Sequence, residues 1–228
     1  MLPGSGSDAR FVRSVFESAL AAQGMALDAV APRPGADVVA GYRAALDAAA
    51  DRPGAFLVGG ISLGAHVATA WAADRAPAGL AGVLVVMPAW TGPPDGAPAA
   101  AAARATAGQV RARGLAAAVA AARAGTPPWL ADELARAWAG YGTSLADALD
   151  AAAAQPAPDL VTLGSLAVPV GIVALVDDPV HPLGTARAWA QALPRAAIRT
   201  TTLAALGSDP AVLGRAAVRA WRHAAGAG

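Results

Sequence analysis

The chain has 228 residues, of which 56% are apolar and 14% charged, with a formal net charge of +1 and no cluster of basic residues, a balance that excludes a nucleic-acid partner. Alanine supplies 68 residues, which inflates the hydropathy; the most apolar stretches, Gly79–Pro88 and Val168–Val176, run for about ten residues each, against the ~20 that a membrane-spanning helix needs, so no membrane partner is expected. There is no Cys and every basic residue is Arg, which removes disulfides, thiolate nucleophiles, Cys-ligated metals, Lys Schiff bases and a P-loop; any histidine chemistry must use His66, His181 or His223.

In chain order, Asp8–Gln23 reads as a helix, capped by Asp8 and carrying Phe11, Val15 and Leu20 on one stripe. Leu27–Ala31 reads as a short strand closed by Pro32-Arg33-Pro34-Gly35, and Asp37–Ala50 as a second helix. Ala55–Ile61 is a buried strand, Leu63–Ala73 a helix that follows with almost no loop, and Ala81–Met87 another buried strand. From Thr91 to about Pro158 the strand signal stops. Ala97–Ala122, Leu130–Ala139 and Leu145–Ala154 read as three helices, since alanine is the best helix former. Sheet pattern resumes with strand Val168–Val176, helix Gly184–Leu193, strand Ala197–Leu203 and helix Pro210–His223. Short Val-rich runs alternating with helices indicate an α/β protein with a parallel sheet.

Gly60-Ile61-Ser62-Leu63-Gly64 has the form G-x-S-x-G. The pentapeptide alone is a weak signal in a glycine-rich chain. Here a buried strand runs into it and a helix runs out, the strand–turn–helix setting in which the serine sits exposed on a strained corner at a helix N-terminus. The competing reading, a Gly-rich turn for a dinucleotide, lacks the G-x-G-x-x-G spacing.

With this motif the chain resembles the α/β-hydrolase superfamily over nearly its whole length. The resemblance implies a mostly parallel, doubly wound sheet of the α/β-hydrolase type, with residues 1–90 and 159–228 as the core and 91–158 as a helical lid. It implies Ser62 as nucleophile. Pro3-Gly4-Ser5-Gly6-Ser7-Asp8, directly before a helix, is similar to the family's oxyanion loop, so the N–H of Ser5 or Gly6 would join that of Leu63 in the oxyanion hole. Asp177-Asp178-Pro179-Val180-His181-Pro182 follows a strand and looks like the family's acid segment; Asp178 matches the acid, with Asp177 its competitor.

The sequence departs from the family in two places. The base is expected in a Gly-His turn before the last helix, but that turn reads Leu206-Gly207-Ser208-Asp209-Pro210. Ser208 would then occupy the position of the base and leave a polar gap beside Ser62, and serine is no base near neutral pH. Of the three histidines, His223 belongs to the solvated end of the last helix and His66 to the packing of the elbow helix. His181, on the acid loop, is the candidate base. The second departure is the strand expected between Leu27–Ala31 and Ala55–Ile61, for which only Met1-Leu2 is present. Unpaired backbone groups cost about 1–3 kcal/mol each, so the flanking strands close up, another element fills the slot, or native residues precede Met1.

The expected function is hydrolysis of an ester or related acyl compound through a Ser62 acyl-enzyme, with a small-molecule substrate and neither cofactor nor metal. Trp90 and Trp129, at and on the lid, are expected to contact substrate, with Trp138 and Tyr141 as further lid aromatics. The alternative is a catalytically impaired hydrolase-fold protein that acts as a binding or interaction module, because of Ser208. The start, Met1-Leu2-Pro3-Gly4-Ser5-Gly6, has no basic n-region or apolar h-region, so the expected location is the cytoplasm.

Overall fold

A computed structural model describes residues 1–226. Helix α1 (Ala9–Ala21) starts at Asp8, whose carboxylate accepts the N–H groups of Arg10 and Phe11, and α2 (Val38–Ala50) follows. Strand β1 (Phe56–Ile61), helix α3 (Leu63–Arg75) and strand β2 (Leu80–Val86) form the first crossover unit. After β2 come α4 (Pro98–Gly125, broken at Gly114), α5 (Pro128–Tyr141), α6 (Leu145–Ala154) and the short α7 (Leu160–Ser165). Then β3 (Val170–Leu175), α8 (Leu183–Ala192), β4 (Ala196–Thr201), α9 (Leu203–Ser208) and α10 (Ala211–Ala224) complete the chain.

The four strands pair in the order β1-β2-β3-β4, all parallel. Their apolar runs are continuous because both faces are covered, which is why period-two alternation is absent from the sequence. Val83 and Val85 of β2, with Val170 and Ile172 of β3, face a core shared with Leu63, Val67 and Trp71 of α3 and Trp189 of α8. The intervening Leu84, Val86, Val173 and Leu175 face the opposite core, built with Val15 and Phe16 of α1 and Leu213 and Ala217 of α10. Helices therefore lie on both faces, as in a doubly wound sheet.

The expected strand at Leu27–Ala31 does not form. A strand needs a ladder, and its neighbour is only two residues long. The Leu2 N–H donates to the Gly59 carbonyl, the Ile61 N–H donates to Leu2, and the Val30 N–H donates to Met1. Leu2 thus makes a single parallel bridge to Gly60. Beyond it the slot stays open as a groove of about 360 Å³ between residues 24–30 and 52–58. Between residues 91 and 158 there are helices and loops but no strand, as expected. No helix among the described residues is long and apolar enough to cross a membrane.

Candidate active site

Ser62 sits between β1 and α3 with φ 51° and ψ −113°. A non-glycine residue held there stores about 1–3 kcal/mol of strain. The corner is fixed from both sides: the Ser62 N–H donates to the Val86 carbonyl and the His66 N–H to the Ser62 carbonyl. The glycines around the serine are required by the crossing of the N-terminal segment. A Cβ at Gly60 or at Gly64 would lie 2.4 Å from the Leu2 carbonyl oxygen. Ser62 is only 7% exposed, and that exposure faces a cavity.

Asp178 and His181 share the loop after β3. The Asp178 Oδ1 accepts the backbone N–H groups of Val180 (2.8 Å) and His181 (3.2 Å), a tight turn that the Asp-Pro pair favours. This turn brings the ring back over its own carboxylate. The His181 Nδ1 lies 2.7 Å from Asp178 Oδ2, and its Nε2 lies 3.0 Å from Ser62 Oγ. A serine, an imidazole and a carboxylate are thus connected by two hydrogen bonds, with the imidazole and the carboxylate three residues apart in the chain. Burial pulls the Asp178 carboxyl up, but the His181 ring and the two N–H groups outweigh it and leave it below the ordinary aspartate value. Asp178 is a carboxylate at neutral pH. Asp177, its competitor, instead accepts the Leu203 N–H at 2.8 Å.

Ser208 does not stand beside Ser62. Its segment closes the six-residue α9, where the Ser208 hydroxyl is exposed and donates to the Ala204 carbonyl at 3.0 Å. The side that would have been a polar gap is apolar: Leu203 and Leu206 line the cavity, and the Trp129 indole rests on Gly207. His66 is fully buried, as expected for a packing residue; its Nε2 accepts the Ala89 N–H at 2.9 Å. Burial, with His181 as a second cause, pushes its pKa down to about 3, so the ring is neutral. His223 is exposed.

The cavity has a volume of about 610 Å³. Its floor is Ser62, Met87 and His181; its walls are mostly alanines of α4 with Trp129, Leu130, Leu134 and Trp138 of α5. Trp129 therefore lines it, but Trp90 does not. Trp90 is buried edge-on against His66 of α3, with ring centroids 4.6 Å apart, because the turn after β2 directs its side chain onto that helix. Tyr141 also lies outside the lining, while Trp138, which sequence reasoning named only in passing, belongs to it. Gly4 lies against the serine, since a Cβ there would be 3.5 Å from Ser62 Cβ. Ser5 and Gly6 line the same cavity. The first residue of α3, Leu63, has an N–H without an intrahelical acceptor, as at every helix start. Among the described residues no cluster of His, Asp and Glu could hold a metal ion.

No protein-family profile matches the chain, and no curated protein matches it in sequence. Its fold, by contrast, has many solved counterparts. Rv0554 from Mycobacterium tuberculosis superposes with a TM-score of 0.66 at 18% identity, covering 97% of this chain and 88% of that one. The esterase RhEst1 from Rhodococcus sp. ECU1013 gives 0.60 at 19% identity, covering 88% and 79%. The enol-lactonase from Burkholderia xenovorans LB400 gives 0.60 at 17% identity, covering 89% and 81%. The parallel sheet, the serine corner after its first strand and these likenesses together show an α/β-hydrolase fold.

Proposed function

We propose that the chain is a serine hydrolase that cleaves esters or related acyl compounds through an acyl-enzyme on Ser62. The observation that carries this reading is the connected set Ser62 Oγ–His181 Nε2 at 3.0 Å and His181 Nδ1–Asp178 Oδ2 at 2.7 Å at the floor of a cavity. His181 takes the proton of Ser62 as the hydroxyl oxygen attacks the substrate's acyl carbon. Asp178 holds the ring in the tautomer with its proton on Nδ1 and stabilises the imidazolium that forms. The oxyanion falls to the N–H groups of Leu63 and Ser5, with that of Gly6 as the alternative on the same turn. His181 then returns its proton to the leaving group, and the same residues activate a water that releases the acid. This chemistry supplies its own nucleophile and base, so it calls for neither metal nor cofactor.

The helices of residues 91–158 act as the lid over this site. The substrate is a small, uncharged ester with an apolar acyl or alcohol portion. Alanine, leucine and tryptophan dominate the walls; the ionisable side chains among the lining residues are Glu133, Asp178 and His181, and no arginine among them offers a partner to an anionic substrate. The likeness to an esterase and an enol-lactonase supports this choice of chemistry. The alternative, an impaired binding module, rests on Ser208 in place of the usual base; the 3.0 Å approach of His181 Nε2 to Ser62 Oγ supports the hydrolase reading over it. The test is hydrolysis of p-nitrophenyl butyrate by wild type, Ser62→Ala and His181→Ala: turnover by wild type and its loss in both variants supports the proposal, and an inert wild type refutes it.

A further inference from the structure

The segment that carries the proposed oxyanion donors is short and irregular. It is tied to the sheet by a bridge at Leu2 and to α1 by the cap at Asp8. Between them, Pro3–Ser7 makes one turn, closed by the Ser7 N–H donating to the Gly4 carbonyl at 3.1 Å, with Gly6 at φ 68°. Helix α5 grips three consecutive residues of this segment. The Trp138 indole rests on Gly6, where an added Cβ would lie 2.8 Å from Nε1. The Tyr141 hydroxyl donates to the Ser7 carbonyl at 2.6 Å. The Arg136 guanidinium spans both Asp8 carboxylate oxygens at 2.6 and 2.9 Å and is itself held by Glu133. Arg136 and Asp8 are 128 residues apart, so this contact joins the inserted helices to the start of the chain. Arg136 is not among the residues that line the cavity, nor is Tyr141.

We propose, resting on the hydrolase reading above, that Arg136 and Tyr141 are positioning residues: α5 latches the Gly4–Asp8 turn so that its N–H groups meet the developing oxyanion. The physical reason is leverage. A bidentate pair of this kind fixes both distance and plane, and a half-buried one is screened less than a surface pair. Losing one oxyanion donor outright costs about 10²–10³-fold in turnover, and a misplacement of about 1 Å can cost ~10²-fold. A loosened turn should therefore lose about tenfold. The effect belongs to the transition state, so kcat falls while KM stays near its wild-type value. A residue that merely supported the fold would lower the melting temperature without this split.

The experiment compares wild type with Arg136→Gln, Arg136→Lys and Tyr141→Phe on p-nitrophenyl butyrate and, in parallel, by hydrogen–deuterium exchange of the peptide covering residues 1–11. The expected result is a fall in kcat of about tenfold for Arg136→Gln and a smaller one for Tyr141→Phe. KM should change less than about twofold, Arg136→Lys should recover part of the loss, and exchange should be faster at residues 4–7. Tyr141→Phe removes only a hydroxyl and keeps the ring, so it carries the test if Arg136→Gln does not fold. Wild-type kcat together with unchanged exchange at residues 4–7 in both variants overturns the proposal. An inert wild type overturns the hydrolase reading instead, and the exchange comparison then decides by itself whether α5 holds the turn.

Discussion

His66 makes the protein's stability depend on pH in a window that can be calculated. Its ring is fully buried between Trp90 and Trp189, its Nε2 accepts the Ala89 N–H, and its Nδ1 has no partner among the described residues. Protonation would destroy the Ala89 hydrogen bond and place a charge in an apolar interior. The folded pKa is therefore pushed from the ordinary 6.5 down to about 3. Below pH 6.5 the unfolded chain binds a proton that the folded chain refuses, so stability is complete above 6.5 and falls as pH drops towards 3. At about 1.36 kcal/mol per unit, the loss at pH 5 is roughly 2 kcal/mol. Against a typical domain stability of about 5–15 kcal/mol, that is readily measured. The Asp8 and Asp178 carboxyls lie below their ordinary values and also weaken the fold in acid, but a His66 variant shares that contribution and it cancels in a comparison with wild type. The assay is urea denaturation at pH 7.5 and pH 5 for wild type and His66→Gln. The variant loses packing at both pH values, which cancels in the difference, and its stability should change less between them by roughly 2 kcal/mol. Equal pH dependence in the two proteins would refute the reasoning and place a protonated or solvated ring at position 66.

The remaining expectations concern the site and its corner. His181→Ala should reduce ester hydrolysis by about 10²–10⁴-fold with the melting temperature little changed, as read by p-nitrophenyl ester kinetics and thermal denaturation. Asp178→Asn should cost a similar factor, because an amide cannot hold the ring in the required tautomer and the turn also loses a charged acceptor for two N–H groups. Ser208→His should leave wild-type turnover unchanged and should not rescue His181→Ala, since position 208 faces solvent on α9; recovery of activity would contradict that placement. Gly60→Ala should destabilise by about 1–3 kcal/mol in urea denaturation, because its methyl group would meet the Leu2 carbonyl, and unchanged stability would argue against the close crossing of the N-terminal segment.

The elements legible in the sequence are those whose signal is local and long. Ser62 could be read because its corner demands small residues on both sides and joins a fully apolar strand to a helix. The helices between residues 91 and 158 could be read from their alanine content and the loss of strand pattern. What escaped depends on partners. Leu27–Ala31 has the composition of a strand but only the two-residue ladder of Met1-Leu2 beside it. The six-residue α7 and α9 are too short for periodicity to show; each is announced only by a capping residue, Asp159 and Thr202. Trp90 packs on His66 and not in the cavity because the direction of a side chain in the turn after a strand is set by the turn, which composition does not show. His181 was nameable by elimination among three histidines. Its geometry was not, since the turn that folds it back depends on the hydrogen bonds of Asp178 to its own loop.

Labelling with a fluorophosphonate probes directly whether His181 activates Ser62 as a nucleophile, because the reagent needs an activated hydroxyl and no knowledge of the natural substrate. The labelled protein is examined by intact mass and peptide mapping, beside Ser62→Ala and His181→Ala. The expected result is a single adduct on Ser62 in wild type, none in Ser62→Ala, and labelling slowed by about 10²-fold or more in His181→Ala. A folded wild type that stays unlabelled, or labelling of Ser62 at an equal rate without His181, would contradict it.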